Sequence, residues 1–246
     1  MKYMRWAVAL LIGLVGALSF VDRAQSESAS PVVVELFTSQ GCSSCPPADA
    51  YLQTLAKRPD ILALGFHVDY WDYGGWADPF AKPEYGQRQR DYATAFKDNF
   101  VYTPLAVIQG SAPAVGSDQE AIDSLIRARK AATTTVPVIL SGGPFGLKVD
   151  LPAIDNGVPF TADIWLVRFD GERQTPVLRG ENRGRQATDA NIVRELLRVA
   201  EWNGNGLHFE VVLPKQTVPG PWGCAILVQA PHGGPILGAA KMTWVN

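Results

Sequence analysis

The spacing of apolar positions divides the chain into two regimes. Residues 32–37 are almost unbroken in apolar character, with Val32, Val33, Val34, Leu36 and Phe37. Such a β-branched run without polar alternation predicts a buried strand. Ala48, Leu52, Leu55 and Ala56 then recur at helical spacing up to Pro59. Pro46 and Pro47 fit the first turn of that helix, where a missing N–H is harmless. Residues 61–68 (ILALGFHV) form a second apolar run. Strand, helix and strand at this spacing make a right-handed βαβ unit with parallel strands. Further along, 83–99 reads as a helix, 105–109 as a strand, 114–115 as a hairpin partner and 117–130 as a closing helix. That helix opens on Ser117-x-x-Glu120, a capping box, and repeats Ile122, Leu125 and Ile126 at core spacing. The order β-α-β-α-β-β-α is complete by about residue 132.

Beyond that point the helical spacing gives way to short strands: 136–140, 145–151, 160–169, 174–179, 207–212, 224–229 and 236–244. Gly, Pro, Asn and Asp separate them, and Asp170-Gly171 reads as a hairpin turn. One segment, 189–200, fits either a helix or a strand, since Val193, Leu196, Leu197 and Val199 serve both. Antiparallel strands at this spacing predict a β-sandwich occupying 136–246, with a boundary at 131–135.

Composition narrows the function classes. Apolar residues make up 47% of the chain and charged residues 19%, which supports a packed core and argues against disorder. The formal charge of −2 offers no basic surplus for nucleic acid. Three cysteines are too few for a disulfide-stapled scaffold. Two of them form Cys42-Ser43-Ser44-Cys45, and the third, Cys224, opens an apolar strand and reads as a buried, inert thiol.

The N-terminus carries Lys2 and Arg5, then an uncharged run over 6–20, then Ala24-Gln25-Ser26. This is the layout of a signal peptide spanning 1–26, with cleavage after Ser26. It predicts a periplasmic or secreted protein, with no membrane attachment after cleavage and in a compartment where a disulfide persists.

The candidate chemistry sits where the first buried strand turns into a helix. Unpaired N–H groups and the helix dipole stabilise a thiolate there. Cys42 is therefore the candidate nucleophile, and Cys45, three positions on, the resolving thiol of a Cys42–Cys45 disulfide. A reversible pair, a static disulfide and a metal-binding pair all remain open at this point. His67 and Asp69 lie at the end of the second strand, on the same sheet edge as Cys42. His67 is a candidate proton shuttle and Asp69 its orienting carboxylate. Alternatively, Cys42, Cys45 and His67 form a thiophilic metal set such as a Cu(I) site. Tyr70, Trp71 and Trp76 make an aromatic wall able to receive a substrate. Arg183 and Arg185 read as a solvated turn paired with Glu181 more readily than as a carboxylate clamp.

The motifs TSQGCSSCPPAD, FHVDYWD and VYTP resemble the thioredoxin-like superfamily. They are most similar to an exported bacterial family known only as a domain of unknown function with a thioredoxin-like fold. The resemblance implies an α/β thioredoxin-like domain at 31–132 followed by a β-rich, sandwich-like domain. It also implies a cis peptide bond at Thr103-Pro104 facing the cysteines. The reading that follows is an exported thiol-disulfide oxidoreductase or redox-responsive protein acting on a protein or small-molecule thiol or disulfide, without a cofactor. A periplasmic metal-binding protein and a non-catalytic binding module with a structural disulfide stand as alternatives. Nothing in the sequence fixes the oligomeric state.

Overall fold

A computed structural model describes residues 30–131, 136–154 and 161–245. The expected signal peptide and residues 132–135 of the expected boundary lie outside these. Among the described residues, no helix is long and apolar enough to cross a membrane.

The first half follows the predicted order. Strand β1 (Val32–Thr38) leads to α1 (Pro46–Ala56), β2 (Ile61–His67), α2 (Pro83–Phe96), β3 (Leu105–Ile108), β4 (Ala112–Val115) and α3 (Gln119–Ala131). β1 and β2 pair in parallel with Thr38 opposite His67, while β3 runs antiparallel to both β1 and β4. Helix α3 starts one residue later than the capping box predicts, because Asp118 rather than Ser117 accepts the Ala121 N–H at 3.0 Å.

The second half supplies β5 (Ile139–Gly143), β6 (Gly146–Leu151), β7 (Ala162–Asp170), β8 (Arg173–Pro176) and β9 (Gln186–Asp189). It continues with β10 (Ile192–Trp202), β11 (Leu207–Val212), β12 (Pro221–Gln229) and β13 (Ile236–Val245). The ambiguous 189–200 segment is largely strand β10. Register shifts at Val193/Glu195 and Arg198/Ala200 break its period-2 pattern, which is why spacing alone left helix and strand equal. No hairpin forms at Asp170-Gly171: β8 pairs with β9, and the Gly171 N–H donates to the Pro221 carbonyl at 2.7 Å.

Where a domain and then a sandwich were expected, one mixed sheet runs through both halves in the order β13-β12-β7-β10-β2-β1-β3-β4. The join is parallel, at Ile192 opposite Gly65. There the Gly65 N–H donates to the Asn191 carbonyl at 2.9 Å, and the Asn191 amide donates to the Ala63 carbonyl at 2.9 Å. The reason is physical. β2 is buried along its whole length, and its outer edge needs a hydrogen-bonding partner, which β10 supplies.

Both faces of the sheet are covered. On one, α2 buries Tyr85 and Tyr92 against Phe37, Phe66, Val107, Val167, Phe169 and Leu227, a core drawn from both halves. On the other, α1 and α3 cover the first half. The three-stranded sheet β11-β6-β5 covers the second, packing Leu140, Leu147 and Val149 onto Ile164, Ile226 and Val228. The sandwich-like element is thus this small sheet laid on part of the large one.

A buried ion pair ties the layers together. The Arg88 Nε donates to Glu35 at 2.9 Å, and its Nη2 donates to the Tyr92 hydroxyl at 3.0 Å and to Gln229 at 3.1 Å. The Tyr92 hydroxyl donates in turn to the other Glu35 oxygen. Glu35 is fully buried on β1, and Gln229 belongs to β12.

Candidate functional site

The parallel register of β1 and β2 brings Thr38 and His67 to one edge of the sheet. The chain leaves β1 through a tight turn in which the Cys42 N–H donates to the Ser39 carbonyl at 3.1 Å. Cys45 then caps α1, with proline in its first positions. Its carbonyl accepts the Ala48 and Asp49 N–H groups at 2.9 and 3.1 Å. Cys42 and Cys45 are joined by a disulfide, with Cα atoms 5.4 Å apart. Both cysteines are wholly buried, whereas Ser43 and Ser44 between them are exposed.

The Thr103–Pro104 peptide bond is cis. Ser44 connects it to the cysteines: its Oγ lies 3.3 Å from the Cys42 sulfur and donates to the Thr103 carbonyl at 3.5 Å. Trp71 Nε1 donates to the Thr103 hydroxyl at 2.6 Å. A side chain on Gly41 would come within 3.3 Å of the Trp71 Cβ, so this indole packs against the turn that carries Cys42. Trp71 also stacks on Tyr73, which is 84% exposed, at 6.3 Å between ring centres. Tyr70 lies beside Trp71 and donates from its hydroxyl to Gln89 at 3.1 Å. Trp76 stands apart from that wall and donates from Nε1 to the Gln40 side chain at 3.1 Å. Of the three expected substrate-wall residues, the structure therefore groups Tyr70 and Trp71, while Trp76 serves the cluster below.

That cluster is buried and charged. His67 Nδ1 and an Asp78 oxygen are 2.8 Å apart, and His67 Nε2 lies 4.0 Å from Asp189. The same Asp78 oxygen accepts the Gln40 N–H at 2.8 Å, and the Gln40 side-chain amide donates to Asp189 at 2.7 Å. The carboxylate that orients His67 is thus Asp78 and not Asp69. Asp69 lies against α2, 3.7 Å from where a side chain on Gly86 would begin. Burial alone lowers the His67 pKa, but the charge and hydrogen bond of Asp78, with Asp189 and Asp49 behind, carry it up to about 9. Burial works against the Asp78 carboxylate too, yet His67 and the N–H donors hold its pKa below the usual value. Asp49, on α1 four residues after Cys45, accepts from the Thr38 hydroxyl at 2.6 Å. Removal from water, then the Asp189 charge, push its carboxyl up to about 7.

The alternative metal set is not assembled. Both sulfurs share the disulfide, and both His67 ring nitrogens face carboxylates. Among the described residues, no group of three or more His, Cys, Asp or Glu side chains is placed to hold a metal ion.

One participant comes from the far half. Asn182 lies between β8 and β9 and is 4% exposed. Its side-chain amide donates to the Gln40 carbonyl at 3.0 Å and to the Cys42 carbonyl at 2.8 Å. The stretch expected to be a solvated turn therefore docks on the cysteine turn. No ion pair joins Arg183 or Arg185 to Glu181 among the described residues. Sequence reasoning missed Gln40, Asp49, Asp78, Asn182 and Asp189 as site residues. Only Asp49 carried a signal, its i+4 spacing from Cys45 on a helix.

The fold recurs in solved structures. A protein from Agrobacterium tumefaciens determined by X-ray crystallography is 33% identical, with a TM-score of 0.73, covering 87% of this chain and 94% of that one. HBP35 of Porphyromonas gingivalis is 12% identical, with a TM-score of 0.57 over 88% of this chain and 76% of that one, which is a likeness of fold alone. No curated protein sequence matches the chain. Residues 33–229 match the family described as "Protein of unknown function (DUF1223)", and the chain belongs to that family.

Proposed function

We propose that the protein is an exported thiol-disulfide oxidoreductase whose redox unit is thioredoxin-like. The observation that carries the reading is the Cys42–Cys45 disulfide at the start of α1, linked through Ser44 to the cis Thr103–Pro104 bond. The strand order β2-β1-β3-β4, with β3 antiparallel to β1 and β4, supports the thioredoxin-like part. In the reducing direction the Cys42 thiolate attacks one sulfur of a substrate disulfide, forming a mixed disulfide and releasing the other sulfur as thiolate. Cys45, deprotonated, then attacks the Cys42 sulfur. The enzyme disulfide forms, the second substrate thiol leaves, and two electrons have passed to the substrate. The oxidising direction is the reverse sequence. Trp71 and Tyr70, beside the cis-proline bond, form the surface on which a polypeptide or small-molecule disulfide lies. The apolar leader supports export to the periplasm or outside the cell.

The test is the reduction potential of the pair in leaderless protein, equilibrated with glutathione or dithiothreitol. A value between about −120 and −270 mV supports exchange, and one well below about −300 mV sinks it. A second reading, a binding module with a static disulfide, is favoured by the complete burial of both cysteines. On that reading the Cys42→Ser/Cys45→Ser protein keeps its function and loses about 2 kcal/mol of stability, as a four-residue ring predicts.

A further inference from the structure

Asn182 reaches the cysteine turn from 140 residues away in sequence. It is the one buried residue between Leu178 and Gln186. The loop that carries it is closed by its own backbone hydrogen bonds. Val177 N–H donates to the Arg185 carbonyl at 2.9 Å, Gly184 N–H to the Val177 carbonyl at 2.8 Å, and Arg185 N–H to the Asn182 carbonyl at 3.1 Å. Gly180, at φ +72°, presses this loop against Trp76 and the Gly74 carbonyl, where any side chain would be strained.

The amide orientation is dictated by its partners. Both are backbone carbonyls, which only accept, so the NH₂ group faces them. The cost falls on Asn182 Oδ1, which is buried without a partner. A side chain that leaves its own acceptor unpaired in order to hold two carbonyls is serving the turn rather than itself.

The Cys42 carbonyl has two donors, Asn182 at 2.8 Å and the Cys45 N–H at a long 3.3 Å. Buried carbonyls need a partner. With Asn182 as the stronger donor, the Cys45 N–H is not required there. Once the disulfide opens, that N–H, at the positive end of α1, is free to turn towards a thiolate on Cys42. Remove the Asn182 amide and the carbonyl reclaims it.

We propose that Asn182 is a positioning residue of the dithiol site, which takes over the Cys42 carbonyl, frees the Cys45 N–H for the Cys42 thiolate and so makes the pair easier to reduce. This rests on the oxidoreductase reading. The second half of the chain is then part of the redox centre.

The experiment compares leaderless wild type with Asn182→Ala, and with Arg183→Gln as a control altering an exposed neighbour. Asn182→Ala is expected to raise the Cys42 thiol pKa and slow its alkylation at neutral pH about tenfold. It is also expected to disfavour reduction about tenfold, equivalent to about 30 mV towards more negative potential. Arg183→Gln is expected to match wild type. Nuclear magnetic resonance of reduced wild-type protein supplies a readout independent of any variant's folding. The Cys45 amide proton should move on reduction and titrate together with the Cys42 thiol. A wild-type pair in the exchange range with an unmoved Asn182→Ala potential, or a Cys45 amide indifferent to reduction, overturns the inference alone. A wild-type pair that glutathione buffers cannot reduce overturns the oxidoreductase reading, and the inference with it.

Discussion

The imidazole of His67 and the carboxylate of Asp78 meet at 2.8 Å with both side chains sealed from water. Neither position is tolerable alone, because an ion withdrawn from solvent needs its counter-ion. His67→Asn would leave Asp78 and Asp189 sharing one site without a cation. We expect it to destabilise the fold by about 3–5 kcal/mol, read as a lower urea midpoint at neutral pH.

The same cluster sets a pH dependence. His67 is raised from 6.5 to about 9, so its contribution is complete below about pH 6.5 and is lost as pH rises through about 9. Asp49 is raised from 3.8 to about 7, so it too favours the fold at low pH and ceases to do so as pH climbs through about 7. Asp78 is lowered, so its contribution is present above about pH 3.8 and disappears in stronger acid. The thermal midpoint is therefore expected to fall by several degrees between about pH 6 and 9.5. Its alkaline arm should flatten in His67→Asn. A midpoint constant across that range would refute the assignment.

Arg88 is the second buried cation. It lies over the rings of Tyr92, Phe66 and Trp165 at 5.1, 5.6 and 5.7 Å from their centres, besides its bond to Glu35. Arg88→Met keeps the bulk but strands the Glu35 charge, and should cost about 3–5 kcal/mol. Arg88→Met combined with Glu35→Gln should recover much of that loss, since no charge is then left unpaired. Urea unfolding of the three proteins measures both statements. Because the network joins β1, α2 and β12, fluorescence and circular dichroism should report one transition, not two.

The cysteine turn was legible because its signals are local. A buried strand, a tight turn, two cysteines and two prolines fix one another's positions within about fifteen residues. The cis bond at Thr103–Pro104 was legible only through resemblance, since nothing in a Thr-Pro pair distinguishes it from an ordinary strand start. What escaped was long-range. Apolar spacing records that β2 is buried, but not that Ile192 of β10 stands beside Gly65. Nor does a polar residue announce burial. Asp78 sits among exposed neighbours before Pro79, and Asn182 among glycines and arginines, so both read as loop. Asp69 seemed the natural partner for His67 because it is two residues away. The chain instead passes His67 by and returns with Asp78, eleven residues on.

Chains are made from the N-terminus, at about 5–20 residues per second. Cys42 and Asn182 are separated by 140 positions, so the two thiols exist for on the order of 10 s before the asparagine that will hold their turn has been added. The strand that will flank β2 arrives later still. For that interval the pair is two thiols on an unfinished sheet. The segment that completes the site is thus added to a turn already laid down, and a chain cut anywhere before residue 182 would leave the Cys42 carbonyl without its side-chain donor.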